Sequence, residues 1–315
     1  MLLITVGDHA MGQLAAAGVA AAPLVPLIWR DILHEGPVPA GLGLADLSRL
    51  RAGWIAAATG LPAREVEAAF AARDQALAAG AGDGAVLAFD HNLVNQLQLA
   101  QVLDWFASGR QGAGPLALVL VPSFAAAGPA ELAAAFAARA PVGRDLLELG
   151  AAAWAAFRAP DPTAVEAVLP ACDRLLPPLG AALRRHLQQF PATGDGLARS
   201  ERQALATMAA APGRRATLTE LMHAQSAAEP LPFLGDSWLV AHLARLSAGE
   251  TPLVRPAEAP GRTDAWVLTD AGAEVLAGRA DRAELAAIDH WLGGVHLAGR
   301  PAWRWDRQAG RLAAA

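Results

Sequence analysis

Residues 86–107 read Val-Leu-Ala-Phe-Asp-His-Asn-Leu-Val-Asn-Gln-Leu-Gln-Leu-Ala-Gln-Val-Leu-Asp-Trp-Phe-Ala. The first four form a continuous apolar run with no alternation, the pattern of a strand covered on both faces. From Asn92 the period changes: Leu93, Leu97, Leu99, Val102, Leu103 and Phe106 recur at helical spacing as far as Ala107. A buried strand therefore runs into a helix, with Asp90-His91-Asn92 at the joint. Outward from this stretch the same unit recurs. Leu2–Val6, Leu24–Trp29 and Leu116–Val121 are further short apolar runs. Helical patterns at Met11–Ala17, Ala45–Ala58 and Ala63–Ala79 lie between them. Strands alternating with helices imply right-handed crossovers and a parallel sheet. The reading is an α/β domain over residues 1–125 with a parallel four-stranded, Rossmann-like sheet.

Residues 126–196 read as a helical bridging region and linker. Gly128-Pro129 opens one helix; Arg144–Phe157 and Pro178–Phe190 are others, with a break at Pro160 to Pro162 and a linker at Pro191–Gly196. Residues 197–315 resemble a winged-helix module. Ser200–Ala210, Thr217–Gln225 and Ser237–Ser247 supply three helices, and Leu253–Val254 with Ala265–Leu268 a small hairpin. Thr269-Asp270-Ala271-Gly272 opens a further helix through Ala277, and the aromatics of Trp303-Arg304-Trp305-Asp306 pin a final strand.

Composition excludes several chemistries. All 25 basic residues are Arg, so a Schiff-base Lys, a pyridoxal-phosphate Lys and a Walker-loop Lys are ruled out. There is no Tyr to act as acid or base. Cys172 is the single Cys, so neither an intrachain disulfide nor a Cys-pair zinc site can form. Its Ala/Leu-rich helical surroundings read as core. The first strand starts at Leu2 with no basic segment and long apolar run before it, unlike a signal peptide. Gly18, Pro23 and Pro26 break the apolar stretch Leu14–Trp29 as a membrane span. The expected protein is soluble and cytoplasmic, without a membrane partner.

Net charge is −5. Residues 1–125 hold six Arg against seven Asp and three Glu, so most of the acidic excess lies there. Between residues 195 and 255 six Arg face six acids, and Gly235–Arg245, over the third C-terminal helix, carries one Arg and one Asp. Duplex DNA is not an expected partner of a module without a basic face. A protein partner remains open to it.

Each strand ends in polar residues. Val6 is followed by Gly7-Asp8-His9, Trp29 by Arg30-Asp31-Ile32-Leu33-His34-Glu35-Gly36-Pro37, Phe89 by Asp90-His91-Asn92, and Val121 by Pro122-Ser123. In an open parallel sheet these ends share one edge, where ligands bind. Taken singly, Asp8 and Asp90 read as helix N-caps and His34–Pro37 as a turn. Taken together, two His, several acids and an Arg point to a site for a small polar molecule. His34, His91 and Glu35 are the catalytic candidates, since His titrates near neutral pH. Asp8, Arg30, Asp31, Asn92 and Gln96 are candidate substrate-binding residues. Asp8, Glu35 and Asp90 could ligate a divalent metal, because carboxylates suit hard cations. An acidic pocket without metal would suit a cationic substrate. The glycines at 7 and 12 do not form a dinucleotide fingerprint, His34-Glu35 lacks the second His of a zinc protease helix, and Ser123 has no nucleophile elbow.

Gly7-Asp8, Trp29-Arg30-Asp31-x-Leu33-His34-Glu35-Gly36-Pro37-Val38-Pro39 and Phe89-Asp90-His91-Asn92-Leu93-x-Asn95-Gln96-Leu97-Gln98-Leu99 resemble the bacterial family called domain of unknown function 1835. Pro232-Phe233-x-Gly235-Asp236 and Trp303-Arg304-Trp305-Asp306 resemble its usual C-terminal companion region. That family implies no established activity. Its third motif more often reads Glu-His-Asp-x-x-Asp-Gln-Leu-Gln-Leu preceded by Trp-Phe, from which Ala88, Asp90, Asn92 and Asn95 depart; the loss of acid at 92 and 95 shifts weight to Asp90, His91 and Gln96. Two functions fit these readings: an enzyme, metal-dependent or not, acting at the sheet edge, or a non-catalytic ligand-sensing adaptor whose winged-helix-like end meets a partner.

Overall fold

The computed structural model describes residues 1–20, 23–108, 114–257 and 265–315. The chain divides into two compact units, residues 1–184 with 291–295, and residues 185–290 with 296–315.

The first unit is built on a five-stranded sheet. Its elements are β1 (Leu2–Thr5), α1 (Gly7–Ala16), β2 (Val25–Ile28), β3 (Gly36–Pro37), α2 (Leu44–Thr59), α3 (Ala63–Gly80), β4 (Ala85–Asp90), α4 (Leu93–Ala107), β5 (Leu116–Val121), α5 (Pro129–Ala137), β6 (Ala140–Pro141), α6 (Arg144–Phe157), α7 (Thr163–Leu175) and the part of α8 (Pro177–Leu187) up to Arg184. The strand order is β2-β1-β4-β5-β6. The four strands read from the sequence are all present and parallel. The sheet has a fifth, because β6 adds antiparallel to β5. Two exposed residues, Ala140 and Pro141, are too few to show a strand period.

Alternate strand residues serve opposite faces. Leu3, Val86, Ala88, Val119 and Val121 pack with Ala10 and Leu14 of α1 and Leu132 of α5, while Leu2, Ile4, Leu87 and Phe89, all buried, point the other way. From β1 the chain crosses to β2 on one side, and from β4 it crosses to β5 on the other. Right-handed crossovers in opposite directions set α1 and α4 on opposite faces. The strand order thus reverses between β1 and β4. Behind α4 lies α6, whose Gly150 has no room for a Cβ beside Leu103. The gap at Pro160 to Pro162 falls between α6 and α7 as read. Cys172 on α7 is fully buried, and burial pushes its thiol up to about 11, so it is core and not a thiolate.

In the second unit, α9 (Arg199–Ala210), β7 (Arg215–Thr217), α10 (Leu218–Ala228), α11 (Asp236–Ser247), β8 (Val254–Pro256), β9 (Ala265–Leu268), α12 (Asp270–Leu276) and α13 (Arg282–Leu285) follow in order. Leu205, Met208, Leu221, Leu239, Leu243, Trp266 and Val275 form its core. Thr217 caps α10, its hydroxyl accepting from the Glu220 N–H while Glu220 returns a bond to the Thr217 N–H. β7, β9 and β8 make an antiparallel sheet; residues 258–264, the tip of the hairpin read from the sequence, lie outside the described residues. The chain ends through β10 (Ile288–Gly293), β11 (Val295–Gly299), β12 (Trp303–Asp306) and β13 (Arg311–Ala314), the last two an antiparallel pair. Leu292 and Gly293 of β10 fall among residues 291–295, which belong to the first unit, and pair there with Gly36 and Pro37 of β3. Within Pro191–Gly196, Ala192 and Asp195 are buried and the Thr193 N–H donates to the Trp305 carbonyl. Among the described residues no helix is long and apolar enough to cross a membrane.

Candidate functional site

The sheet register fixes where the strand ends lie. Thr5 stands opposite Ile28 of β2 and Ala88 of β4, and Asp90 opposite Val121 of β5. The ends of β1, β2, β4 and β5 therefore share one edge. Gly7 turns β1 into α1 at φ +71°, a left-handed conformation that favours glycine, with open space where a Cβ would project. The first residues of α1 have no side-chain cap, so their N–H groups face outward for an acceptor. Asp8 and Arg30 pair with each other across the β1 and β2 ends, both largely exposed.

Asp90 ties the two central loops together. Its Oδ1 accepts from the Asn92 N–H at 3.2 Å and its Oδ2 from the Phe124 N–H, beyond β5, at 3.4 Å. Burial pushes its carboxyl above the usual range, against the pull of those two N–H donors. Burial also holds the half-buried His91 below its ordinary value, so this imidazole is neutral at neutral pH and free to accept a proton. Asn92 caps α4, accepting from the Asn95 N–H at 3.0 Å. Gln96 donates to the Asp90 carbonyl at 2.7 Å. The Thr5 hydroxyl and the Gln96 Oε1 are enclosed with no partner among the described residues.

The loop after β2 has a different character. Asp31, His34 and Glu35 are all buried. Arg51 of α2 lies inside this loop, bonding the Asp31 carboxylate at 2.8 Å and 3.0 Å, the Ile32 carbonyl at 2.8 Å and the Glu35 carbonyl at 2.7 Å. From α4, Gln98 donates to the Asp31 carbonyl and Gln101 accepts from the Trp29 indole at 2.9 Å. Arg73 of α3 stacks on Trp29, 4.0 Å from the ring centroid, and donates to the Arg30 carbonyl at 3.1 Å. Gly36, at φ +76°, sits against the Trp54 indole with no room for a Cβ. The residues of this motif shape and hold the loop.

The predicted site residues thus fall into groups. Asp8 meets Arg30; Asp90 meets Asn92 and Gln96; Asp31 meets Arg51. Among the described residues no three His, Cys, Asp or Glu side chains gather as metal ligands, so Asp8, Glu35 and Asp90 are not assembled into a metal centre. Asp8 projects to solvent while Glu35 is enclosed. Arg30 lines a cavity of about 550 Å³ between β2 and α3, with Leu27, Val66, Phe70 and Arg73. No family model and no curated protein matches the chain.

Sequence reasoning missed Arg51, Arg73, Gln98 and Gln101. A signal was present: Arg51 stands four residues from both Leu47 and Ile55, and Arg73 three and four from Phe70 and Leu77, each on the buried stripe of its helix. It also missed Asp104 and Arg158, which face a cavity of about 140 Å³ between Trp105 and Trp154. There burial raises the Asp104 carboxyl, opposed by the Arg158 charge.

Proposed function

We propose that the first unit binds a small polar molecule at the sheet edge between β1 and β4, and that His91 acts on it as a base. The observation that carries this reading is the strand order β2-β1-β4-β5, since the reversal between β1 and β4 opens a crevice above the strand ends. The outward N–H groups of α1 suit an acceptor oxygen of the ligand, and the neutral His91 suits proton removal. In this reading Asp90 and Gln96 position the β4–α4 turn, and Asp31, His34 and Glu35 belong to the loop that walls the crevice. The resemblance to the domain of unknown function 1835 concerns these same strand-end motifs and adds no activity.

A second reading is the ligand-sensing adaptor. It is favoured by the order α9-β7-α10-α11-β8-β9, three helices with a small antiparallel β7-β9-β8 sheet, an arrangement that supports the winged-helix-like description of the second unit. The test is to incubate the full chain with a polar metabolite mixture, recover retained molecules by ultrafiltration and identify them by mass spectrometry. A compound retained by wild type, and turned over by wild type but not by His91→Ala, is the expected result. Retention without turnover selects the adaptor reading; no retained compound overturns both.

A further inference from the structure

We infer that the second unit carries a separate binding site for a nucleoside monophosphate, in the cavity between α9 and the β12–β13 hairpin. This cavity measures about 480 Å³, within the range of small-molecule sites. One face of α9 supplies Arg199, Arg202, Gln203 and Ala206, at the i, i+3, i+4, i+7 spacing that aligns side chains along a helix. From the hairpin come Trp305 and Arg307.

The charges are layered. Asp195 is 3% exposed and holds Arg202 at 2.6 Å and Arg307 at 2.6 Å and 3.0 Å. Glu229 is 5% exposed and holds Arg185 through two 2.9 Å bonds, with Arg199 at 3.4 Å. The side chains of Arg199, Arg202 and Arg307 remain 34%, 41% and 36% exposed. The carboxylates thus stand behind and orient the guanidiniums, which face the cavity. Four Arg against two carboxylates leave an excess of two positive charges, the complement of a phosphate monoester dianion. Arg202 spends only Nη1 on the protein, on Asp195 and the Leu276 carbonyl. Its Nε and Nη2 form an open fork, the geometry that grips phosphate through two parallel bonds.

A further feature narrows the ligand. Trp305 lines the cavity as an aromatic wall, suited to a flat heterocycle. Gln203, also in the lining, has its Nε2 committed to Glu229 at 2.9 Å, so the phosphate is left to the arginines. A phosphate and an aromatic heterocycle in one molecule of this size describe a nucleoside monophosphate. The whole site lies within the second unit and is independent of the sheet edge.

The test is calorimetric titration of the full chain with the four common ribonucleoside monophosphates, with adenosine, with inorganic phosphate and with a short random-sequence DNA duplex. At least one monophosphate should bind saturably, more tightly than adenosine or phosphate by about tenfold or more. Arg202→Gln should weaken it by about tenfold. Ala206→Glu, an exposed position on α9, should abolish binding by placing a carboxylate in the cavity, with the melting temperature unchanged. The proposal is overturned if no monophosphate binds, if Ala206→Glu binds as wild type does, or if the duplex binds more tightly and displaces the nucleotide.

Discussion

In the first unit Asp31 meets Arg51 and both side chains are closed off from solvent, whereas in the second Asp195 is closed off and its partners Arg202 and Arg307 stay more than a third exposed. The difference lies in what each arginine has left to bond. Arg51 spends Nε, Nη1 and Nη2 on the carboxylate and carbonyls of one loop. Arg202 spends one nitrogen. A guanidinium consumed by its own chain fixes backbone; one held by a single buried carboxylate is oriented while its other donors stay open for a ligand.

The largest effect should come from Arg51→Leu. It leaves the Asp31 charge buried with only the neighbouring Ile32 N–H as a donor, and breaking a buried pair from one side costs about 3–5 kcal/mol. Urea unfolding would measure it. A loss below about 1 kcal/mol would remove the contrast, by showing that the loop does not depend on this clamp.

Asp195→Asn should cost less, about 1.5–3 kcal/mol, the range for hydrogen bonds to a charged group. The half-open guanidiniums it releases can turn to water, which Arg51 and Asp31 cannot do. If Asp195→Asn proved as damaging as Arg51→Leu, the second unit's arginines would be clamps as well.

The smallest effect concerns Asp90. Its folded pKa lies above the ordinary 3.8, so its stabilising contribution is present below that value and is lost as pH rises through the raised one. Stability of wild type relative to Asp90→Asn should therefore decline from about pH 4 upward and then level off. Denaturant midpoints of both proteins across that range measure it. His91, whose pKa is lowered, acts in the opposite sense, losing stability as pH falls, and cancels in the difference. A flat difference would mean that the N–H donors of Asn92 and Phe124 fully offset the burial of Asp90.

How much of this was legible depends on the residue. β1 and β4 are unbroken apolar runs because both of their faces are covered, and burial on two sides writes itself into sequence; β2, at the sheet edge, is equally apolar although Val25 and Pro26 are exposed. The same logic made the polar strand ends visible. It could not say which of them open to solvent, because α2 and α3, which supply Arg51 and Arg73, close the loop after β2 while Asp8 and Arg30 are left outside. Arg51 itself was obscured by its type, since arginine usually marks a surface and only its place on a buried stripe argues otherwise.

The sequence by itself determined the alternation of strand and helix and the exclusion of lysine, tyrosine and paired-cysteine chemistry. These are local or compositional properties, set by a residue and its near neighbours. The caps it suggested at Asp8 and Asp90 are not caps, since α1 has no side-chain cap and Asn92 caps α4. Tertiary structure alone decided that Leu292 and Gly293 complete a strand pair with Gly36 and Pro37, that Arg307 reaches Asp195, and that Gln98 reaches the Asp31 carbonyl. Each of those bonds joins residues dozens to hundreds of positions apart. They form only once the cores have packed and brought distant backbone within hydrogen-bond reach, and no local pattern records that distance.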